Sequence, residues 1–150
     1  MDEWESKIKA IVENTWNKDV NSLSGVPSWM LVLIKAVLKK TGREYLTDVW
    51  PNLEVFFHGG ISFEPYREQY KTLIPSNKMH YMETYNASEG FFGLQDDPTD
   101  SSLLMMPDYG IFYEFIPMNE VGNAHPTVLP LESVETGKNY AMVITTSGGL

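Results

Sequence analysis

The N-terminal part of the chain places apolar residues at helical spacing. They recur every three or four positions, which predicts an amphipathic helix with one buried face. These positions are Trp4, Ile8, Ile11, Val12 and Trp16. A second helix is predicted where Pro27 lies near the start, residues 29–38 are apolar almost all round, and Gly42 can cap the C-terminal end. We expect a helix with so few polar positions to lie inside a larger protein.

The middle of the chain has the pattern of a strand, a helix and a second strand. Residues 53–57 form a short β-rich run that ends at His58-Gly59-Gly60. Pro65 then opens a helical pattern that Pro75 stops, and residues 79–85 read as the next strand. A strand–helix–strand unit of this size predicts a crossover connection between two parallel strands.

The C-terminal part has a different pattern. Residues 103–106 and 111–116 flank the turn sequence Pro107-Asp108-Tyr109-Gly110, which predicts a hairpin. A last strand is predicted at 140–146, and residues 147–150 contain no closing element. We therefore predict an α/β fold with a mixed, partly parallel sheet flanked by helices. Because Pro and Gly are scattered, residues 1–150 are expected to form a single partial domain.

Composition narrows the classes of protein. The chain has 150 residues, 43% of them hydrophobic, which is enough for one core. It has no cysteine, which excludes disulfides and thiolate metal sites. Eleven basic against twenty acidic residues give a net charge of -9, which argues against a nucleic-acid partner.

The chain also lacks the features of a secreted or membrane protein. Its first residues do not form a signal peptide, and the apolar run 29–38 is interrupted by Lys35. That run is much shorter than the ~20 residues that a membrane span needs. A soluble, cytoplasmic protein without a membrane partner is expected.

Two segments should meet at the carboxyl ends of the parallel strands, where ligands bind in such sheets. One is His58-Gly59-Gly60, and the other is residues 86–90. Glycine allows a flat group to approach the backbone, Tyr85 offers a ring face, and Glu89 offers a hard oxygen ligand. Together they suit an adenine ring and a magnesium-bound phosphate.

Each of these residues also has a structural interpretation. Gly59 and Gly60 could form a turn that needs positive φ. The Ser88-Glu89 pair could start a helix, and Tyr85 could be a core aromatic. His58 adjoins the glycines and is a further candidate for a ligand contact. The spacing of the three histidines does not match a zinc site, and the sequence contains no nucleophile elbow.

Several motifs resemble one known family. They are the segments 50–60 (WPNLEVFFHGG), 85–93 (YNASEGFFG), 25–29 (GVPSW), 113–117 (YEFIP) and 143–146 (VITT). In these motifs the chain resembles the auxin-responsive promoter family of acyl acid amido synthetases. The motifs are spread over nearly the whole chain. That family belongs to the adenylate-forming superfamily, so residues 1–150 would be a central segment of the large N-terminal adenylating domain.

The resemblance implies roles for particular residues. The nucleotide motif would comprise Tyr85, Asn86, Ala87, Ser88 and Glu89, with the tyrosine ring against adenine and the glutamate helping to hold magnesium. Gly59 and Gly60 would line the opposite side of the adenine. The implied reaction joins a carboxylic acid to an amine or amino acid: the carboxylate displaces pyrophosphate from ATP, and the amine then displaces AMP.

The sequence also departs from the family pattern. Plant members have Tyr-Ala-Ser-Ser-Glu, whereas Asn86 and Ala87 stand at the second and third positions here, which is closer to bacterial relatives. The phosphate loop, the later Tyr-Arg and Gly-Asp motifs and the C-terminal lid are missing. We therefore expect a fragment that is inactive alone and that could self-associate through exposed apolar surface. The alternative is a non-catalytic nucleotide-binding or interaction module.

Overall fold

A computed structural model describes residues 2–148, so the last two residues of the predicted ending 147–150 lie outside the described range. The chain divides into two compact units. The first contains the residues up to Asn86 together with Gly93–Leu104, and the second contains Ala87–Phe92 together with the residues from Met105 onward. The composition of the chain shows no linker at these points, which is why the sequence does not indicate the division.

Three α-helices lie in the first unit, and all three were predicted. They are α1 (Asp2–Thr15), α2 (Pro27–Thr41) and α3 (Arg67–Leu73). Gly42 caps α2 as predicted, with a left-handed φ of 66° and a 2.9 Å hydrogen bond from its N–H to the Leu38 carbonyl. The apolar pattern of α2 is only partly buried, since Trp29 is exposed and touches Trp4 of α1 edge-on at 5.6 Å.

The larger sheet has five strands in the order β1-β2-β3-β4-β5. The strands are β1 (Ser22–Gly25), β2 (Val55–His58), β3 (His80–Ala87), β4 (Gly90–Leu94) and β5 (Leu104–Met105). Strand β2 pairs in parallel with β1 and with β3, which confirms the predicted crossover through α3. Strand β1 was not predicted, because its four residues contain a single buried apolar side chain, Leu23.

The core of the first unit lies between this parallel region and the helices. Phe56 of β2 is fully buried and stacks on Tyr70 of α3 at 5.0 Å. The Tyr70 hydroxyl donates a 2.8 Å hydrogen bond to the Pro27 carbonyl at the start of α2. This bond ties the crossover helix to the start of α2.

The second sheet has three strands in the order β7-β6-β8. They are β6 (Ile111–Pro117), β7 (Leu129–Pro130) and β8 (Tyr140–Thr146), and both pairings are antiparallel. The small core of the second unit includes Phe92, Ile111, Tyr113 and Phe115. The antiparallel character of the C-terminal part and the last strand are therefore confirmed.

The predicted hairpin at residues 103–116 is wrong. Strand β5 belongs to the five-stranded sheet, whereas β6 belongs to the three-stranded one. Gly110 does take a left-handed φ of 72°, so the turn is real. Strand β6 nevertheless forms a seven-residue ladder with the distant β8, and the Met106 N–H is bonded to the Phe92 carbonyl at 2.9 Å. The local turn signal therefore does not specify the pairing.

No helix among the described residues is long and apolar enough to cross a membrane.

Candidate functional site

A cavity of about 240 Å³ lies where β2 and β3 end in the first unit. Its lining residues come from the end of β1, the end of β2 and the residues after it, and the end of β3. They are Ser24, Gly25, Val26, Phe57, Gly59, Gly60, Thr84 and Asn86. The structure therefore brings three of the predicted site residues together at the predicted edge of the sheet: Gly59, Gly60 and Asn86.

Backbone geometry by itself also explains why Gly59 and Gly60 are glycines. Gly60 has a φ of 81°, so the turn interpretation holds for it. A Cβ atom at Gly59 would collide with the Thr84 carbonyl oxygen of β3. The Thr84 hydroxyl, in turn, donates a 3.2 Å hydrogen bond to the His58 carbonyl. At the two glycines the chain therefore presents backbone rather than a side chain to the cavity.

Tyr85 does not line this cavity. Side chains alternate between the two faces of a strand, so Tyr85 belongs to the face opposite Thr84 and Asn86. Its side chain is 50% exposed, so its interpretation as a core aromatic is wrong.

The rest of the predicted motif forms the connection to β4. Ala87 is the last residue of β3, and Ser88 and Glu89 form a two-residue turn. The alternative of a helix start at Ser88 is therefore wrong. All three residues are exposed, and the boundary between the two units falls between Asn86 and Ala87.

The metal prediction for Glu89 does not rest on a cluster of protein ligands. No group of three His, Cys, Asp or Glu side chains that could hold a metal occurs among residues 2–148. Glu89 is exposed, and Mg²⁺ commonly takes one or two protein carboxylates and completes its shell with phosphates and water.

A second cavity, of about 380 Å³, lies in the first unit on the other face of the same strands. His58, Tyr81 and Glu83 line it, whereas their neighbours Phe57 and Thr84 line the first cavity. The parallel register places His58 directly beside Glu83. Sequence reasoning found His58 but missed Tyr81, Glu83 and Gln95, because nothing in their spacing marks them as a group.

His58 and Gln95 are buried polar residues of this second cavity. The environment of His58 is the more unusual. Its side chain is 3% exposed and stacks on Phe63 with ring centroids 4.3 Å apart. Burial, and then the positive charge of Arg67, lower the pKa of His58 to about 4. The imidazole is therefore neutral at pH 7, and its Nδ1 atom has no hydrogen-bond partner among the described residues.

Comparison with solved structures shows the fold. The chain is similar to an acyl acid amido synthetase, GH3.15, with a TM-score of 0.65 and 17% identity over 98% of this chain and 35% of that one. It is also similar to a long-chain-fatty-acid-CoA ligase from Archaeoglobus fulgidus, with a TM-score of 0.56 and 15% identity over 93% of this chain and 27% of that one. The predicted α/β fold with a mixed, partly parallel sheet flanked by helices is confirmed.

Curated relatives give closer sequence matches. An indole-3-acetic acid-amido synthetase of Oryza sativa subsp. indica is 35% identical over 116 residues, and one of Arabidopsis thaliana is 33% identical over 113 residues. Each match covers 70% of this chain but only 18% of the relative, so the chain spans about a fifth of the length of these proteins.

Family models match both ends of the chain. The GH3 family central domain matches residues 104–150, and the GH3 family N-terminal domain matches residues 1–79, which is more than half of the chain. These matches agree with the resemblance to acyl acid amido synthetases found in motifs along the chain. The protein belongs to the GH3 family.

Proposed function

We propose that this chain supplies the adenine-binding part of an ATP-dependent acyl acid amido synthetase. Residues 1–150 would be a central segment of the adenylating N-terminal domain. In the complete reaction, a carboxylate oxygen attacks the α-phosphate of ATP and expels pyrophosphate. The nitrogen of an amine or amino acid then attacks the acyl carbon, loses a proton and expels AMP.

The observation that carries this proposal is the convergence of Gly59, Gly60 and Asn86 on one cavity at the carboxyl ends of β2 and β3. Ligands of open α/β sheets bind at this edge because loops from neighbouring strands converge there. The exposed backbone at the two glycines gives a flat surface against which a purine can lie. The Asn86 amide carries both donors and an acceptor, so it can pair with the edge of an adenine ring.

Tyr85 and Glu89 would complete the nucleotide site. Tyr85 belongs to the other face of β3, but its side chain is half exposed at the end of the strand, where an aromatic ring can stack on a base that extends beyond the sheet edge. Glu89 would be the single protein carboxylate on magnesium. Magnesium, when bound, would neutralise the phosphates, which matters for a chain with a net charge of -9.

The finer details of the proposal rest on family membership. The names of the curated relatives identify indole-3-acetic acid and amido transfer for those proteins. For this chain we propose only a small carboxylic acid and an amine or amino acid, because Asn86 and Ala87 depart from the plant motif. The absence of cysteine agrees with a cytoplasmic location. Self-association through exposed apolar surface stays a prediction.

Calorimetric titration of AMP, and of ATP with magnesium, into the chain tests this proposal. Tyr85→Ala should weaken binding of both nucleotides by about tenfold, because a base–aromatic stack contributes about 1–3 kcal/mol. Tyr109→Ala is the matched control, since Tyr109 is also an exposed tyrosine but lies outside the motif. Saturable binding that Tyr85→Ala weakens and Tyr109→Ala does not is the expected result.

Glu89→Gln should weaken binding of magnesium-ATP more than binding of AMP, because only the former uses the metal. The exposed Glu132→Gln serves as the control for loss of one negative charge. Equal effects on both nucleotides would refute the metal role. Failure of the unsubstituted chain to bind either nucleotide would refute the half-site and favour a non-catalytic interaction module.

A further inference from the structure

An apolar groove lies between helices α1 and α2 in the first unit. It has a volume of about 560 Å³. Its apolar lining consists of Trp4, Ile8, Val12, Val32 and Ala36. Val12 is buried, whereas Trp4 and Val32 are exposed and form the rim of this α1–α2 groove. The proposed adenine cavity shares none of these residues, so the inference that follows goes beyond the nucleotide site.

The two helices run parallel, because their N-terminal ends touch each other and so do their C-terminal ends. Near the start of α1, Trp4 meets Trp29 of α2 edge-on, with ring centroids 5.6 Å apart. Near the other end, Nζ of Lys40 donates hydrogen bonds of 2.7 and 2.8 Å to the Glu13 carboxylate. At 1.5 Å per residue, the stretch of α1 from Trp4 to Glu13 makes the groove about 14 Å long. That length matches between two and three turns of another helix.

Helix α2 carries more apolar surface than the first unit covers. Its residues 29–38 are apolar almost all round, and helices of this kind are normally buried. Trp29 is nevertheless 61% exposed, and Val32 is exposed one turn further along. Contiguous apolar surface of this kind marks an interaction site, and tryptophan often contributes most of the binding energy at such sites.

The unpaired charges of the groove differ between its two ends. Glu5 lines it near the start of α1, Lys9 lies one turn further along, and Lys39 is in the last turn of α2. Lys40 is already paired with Glu13, whereas Glu5, Lys9 and Lys39 form no salt bridge with another described residue. The groove therefore has a free acidic group at one end and free basic groups towards the other.

This order of charges is complementary to a second copy of the same groove turned end for end. In a two-fold dimer both copies contribute the same surface, and helices that face each other across the axis run antiparallel. Glu5 of one copy then lies towards Lys9 and Lys39 of the other, and the same contact occurs twice. The chain has a net charge of -9, so two copies repel each other over most of their surface. Contact is favoured where unpaired basic groups meet an acidic one.

We propose that two copies of this chain associate through their α1–α2 grooves, with each α1 lying antiparallel to the other. Trp4 and Val32 would supply the apolar contact, and the charges at the two ends would fix the antiparallel orientation. The groove is short compared with a standard interface of about 800 Å² per partner, so the dimer is weak, with a Kd in the micromolar range. This assigns a surface and a geometry to the self-association expected from the sequence.

Sedimentation equilibrium over a range of chain concentrations tests the proposal without any nucleotide. We expect a reversible equilibrium between monomer and dimer, which Trp4→Ala should weaken at least about tenfold. Trp16→Ala is the matched control, because Trp16 is 38% exposed against 42% for Trp4 but does not line the groove. Circular dichroism checks that both variants are folded. A chain that stays monomeric at its highest soluble concentration, or equal effects of the two variants, would overturn the proposal.

Reversal of single charges distinguishes this dimer from any other association. Glu5→Lys and Lys39→Glu should each weaken self-association, because each variant brings like charges together at both contacts. An equimolar mixture of the two variants should associate again, since the reversed charges are opposite in the mixed dimer. Lys7→Glu is the control for the added negative charge, because Lys7 is exposed on α1 but lies outside the groove. A mixture that associates no better than either variant alone, or a Lys7→Glu effect equal to that of Lys39→Glu, would also overturn the proposal.

Discussion

At the scale of single residues, the sequence predicted the position of His58 but not the environment of its side chain. The sequence placed this histidine beside the glycines at the sheet edge, which is correct. It did not indicate which face the side chain occupies, because a four-residue strand with apolar residues on both faces has no alternating pattern. Burial against Phe63 and Phe56 follows from the crossover of α3, which is a tertiary feature.

The buried histidine predicts how stability depends on pH. The folded-state pKa of about 4 is below the ordinary value of 6.5, so the unfolded chain binds the proton first as pH falls. The contribution of His58 is therefore complete above about pH 6.5 and is lost progressively as pH falls through about 4. Its total size should be about 3 kcal/mol, measured as the free energy of urea unfolding at several pH values.

His58→Phe provides the comparison for this prediction. The same cavity is lined by Glu64 and Asp100, whose carboxyl pKa values are lowered by hydrogen bonds from Arg67 and from Ser102, so the wild-type slope alone is not diagnostic. The variant preserves these groups and should lose part of the pH dependence between about 6.5 and 4. An unchanged slope in the variant would show that His58 is not buried in its neutral form.

At the scale of elements, the sequence predicted the parallel strands β2 and β3 correctly but paired β5 and β6 wrongly as a hairpin. Pro65 and Pro75 limit α3, and the runs before and after it are apolar, so local signals define the whole crossover. The partners of β5 and β6 instead depend on contacts far along the chain, such as Phe115 with Met142. The turn sequence Pro107–Gly110 is local and contains no information about which distant strand pairs with β6.

The end of β2 gives a prediction about packing between elements. Gly59→Ala should destabilise the chain by about 1–3 kcal/mol, because the new methyl group collides with the Thr84 carbonyl and forces β2 and β3 apart. Gly60→Ala should cost less, about 1 kcal/mol, since it meets only the strain of a positive φ and an ordinary contact with Val26.

Chemical denaturation of the two variants measures this difference. Gly137→Ala is the control for the strain of positive φ alone, because Gly137 has the same φ of 81° as Gly60 and open space around it. It should resemble Gly60→Ala. If Gly59→Ala were the mildest of the three, the close approach between β2 and β3 would be disproved.

At the scale of the whole molecule, the sequence predicted the fold class but not the division into two units. Each unit has its own core, a large one that includes Ile34, Trp50 and Phe56 and a small one that includes Ile111 and Phe115. The boundary runs through β3, β4 and β5, within continuous strands rather than at a linker. Composition cannot mark such a boundary, because it falls where the chain has no change in residue type.

The candidate site was likewise predicted only in part. Gly59, Gly60 and Asn86 meet at the sheet edge, as the rule for parallel sheets requires. The roles of Tyr85, Ala87, Ser88 and Glu89 rest on the family motif and stay predictions. The second cavity could not be predicted, since its lining joins α3, two strands and the loop 98–101.

The most direct test of the proposed adenine site is to map bound AMP on the chain by backbone amide NMR. We predict that the amide shifts cluster at the first cavity, on Gly25, Gly59, Gly60, Thr84 and Asn86. The amides that line the His58 cavity from residues 98–101 should change little. Shifts that are absent, or that gather away from the ends of β2 and β3, would contradict the assignment of an adenine half-site to this chain.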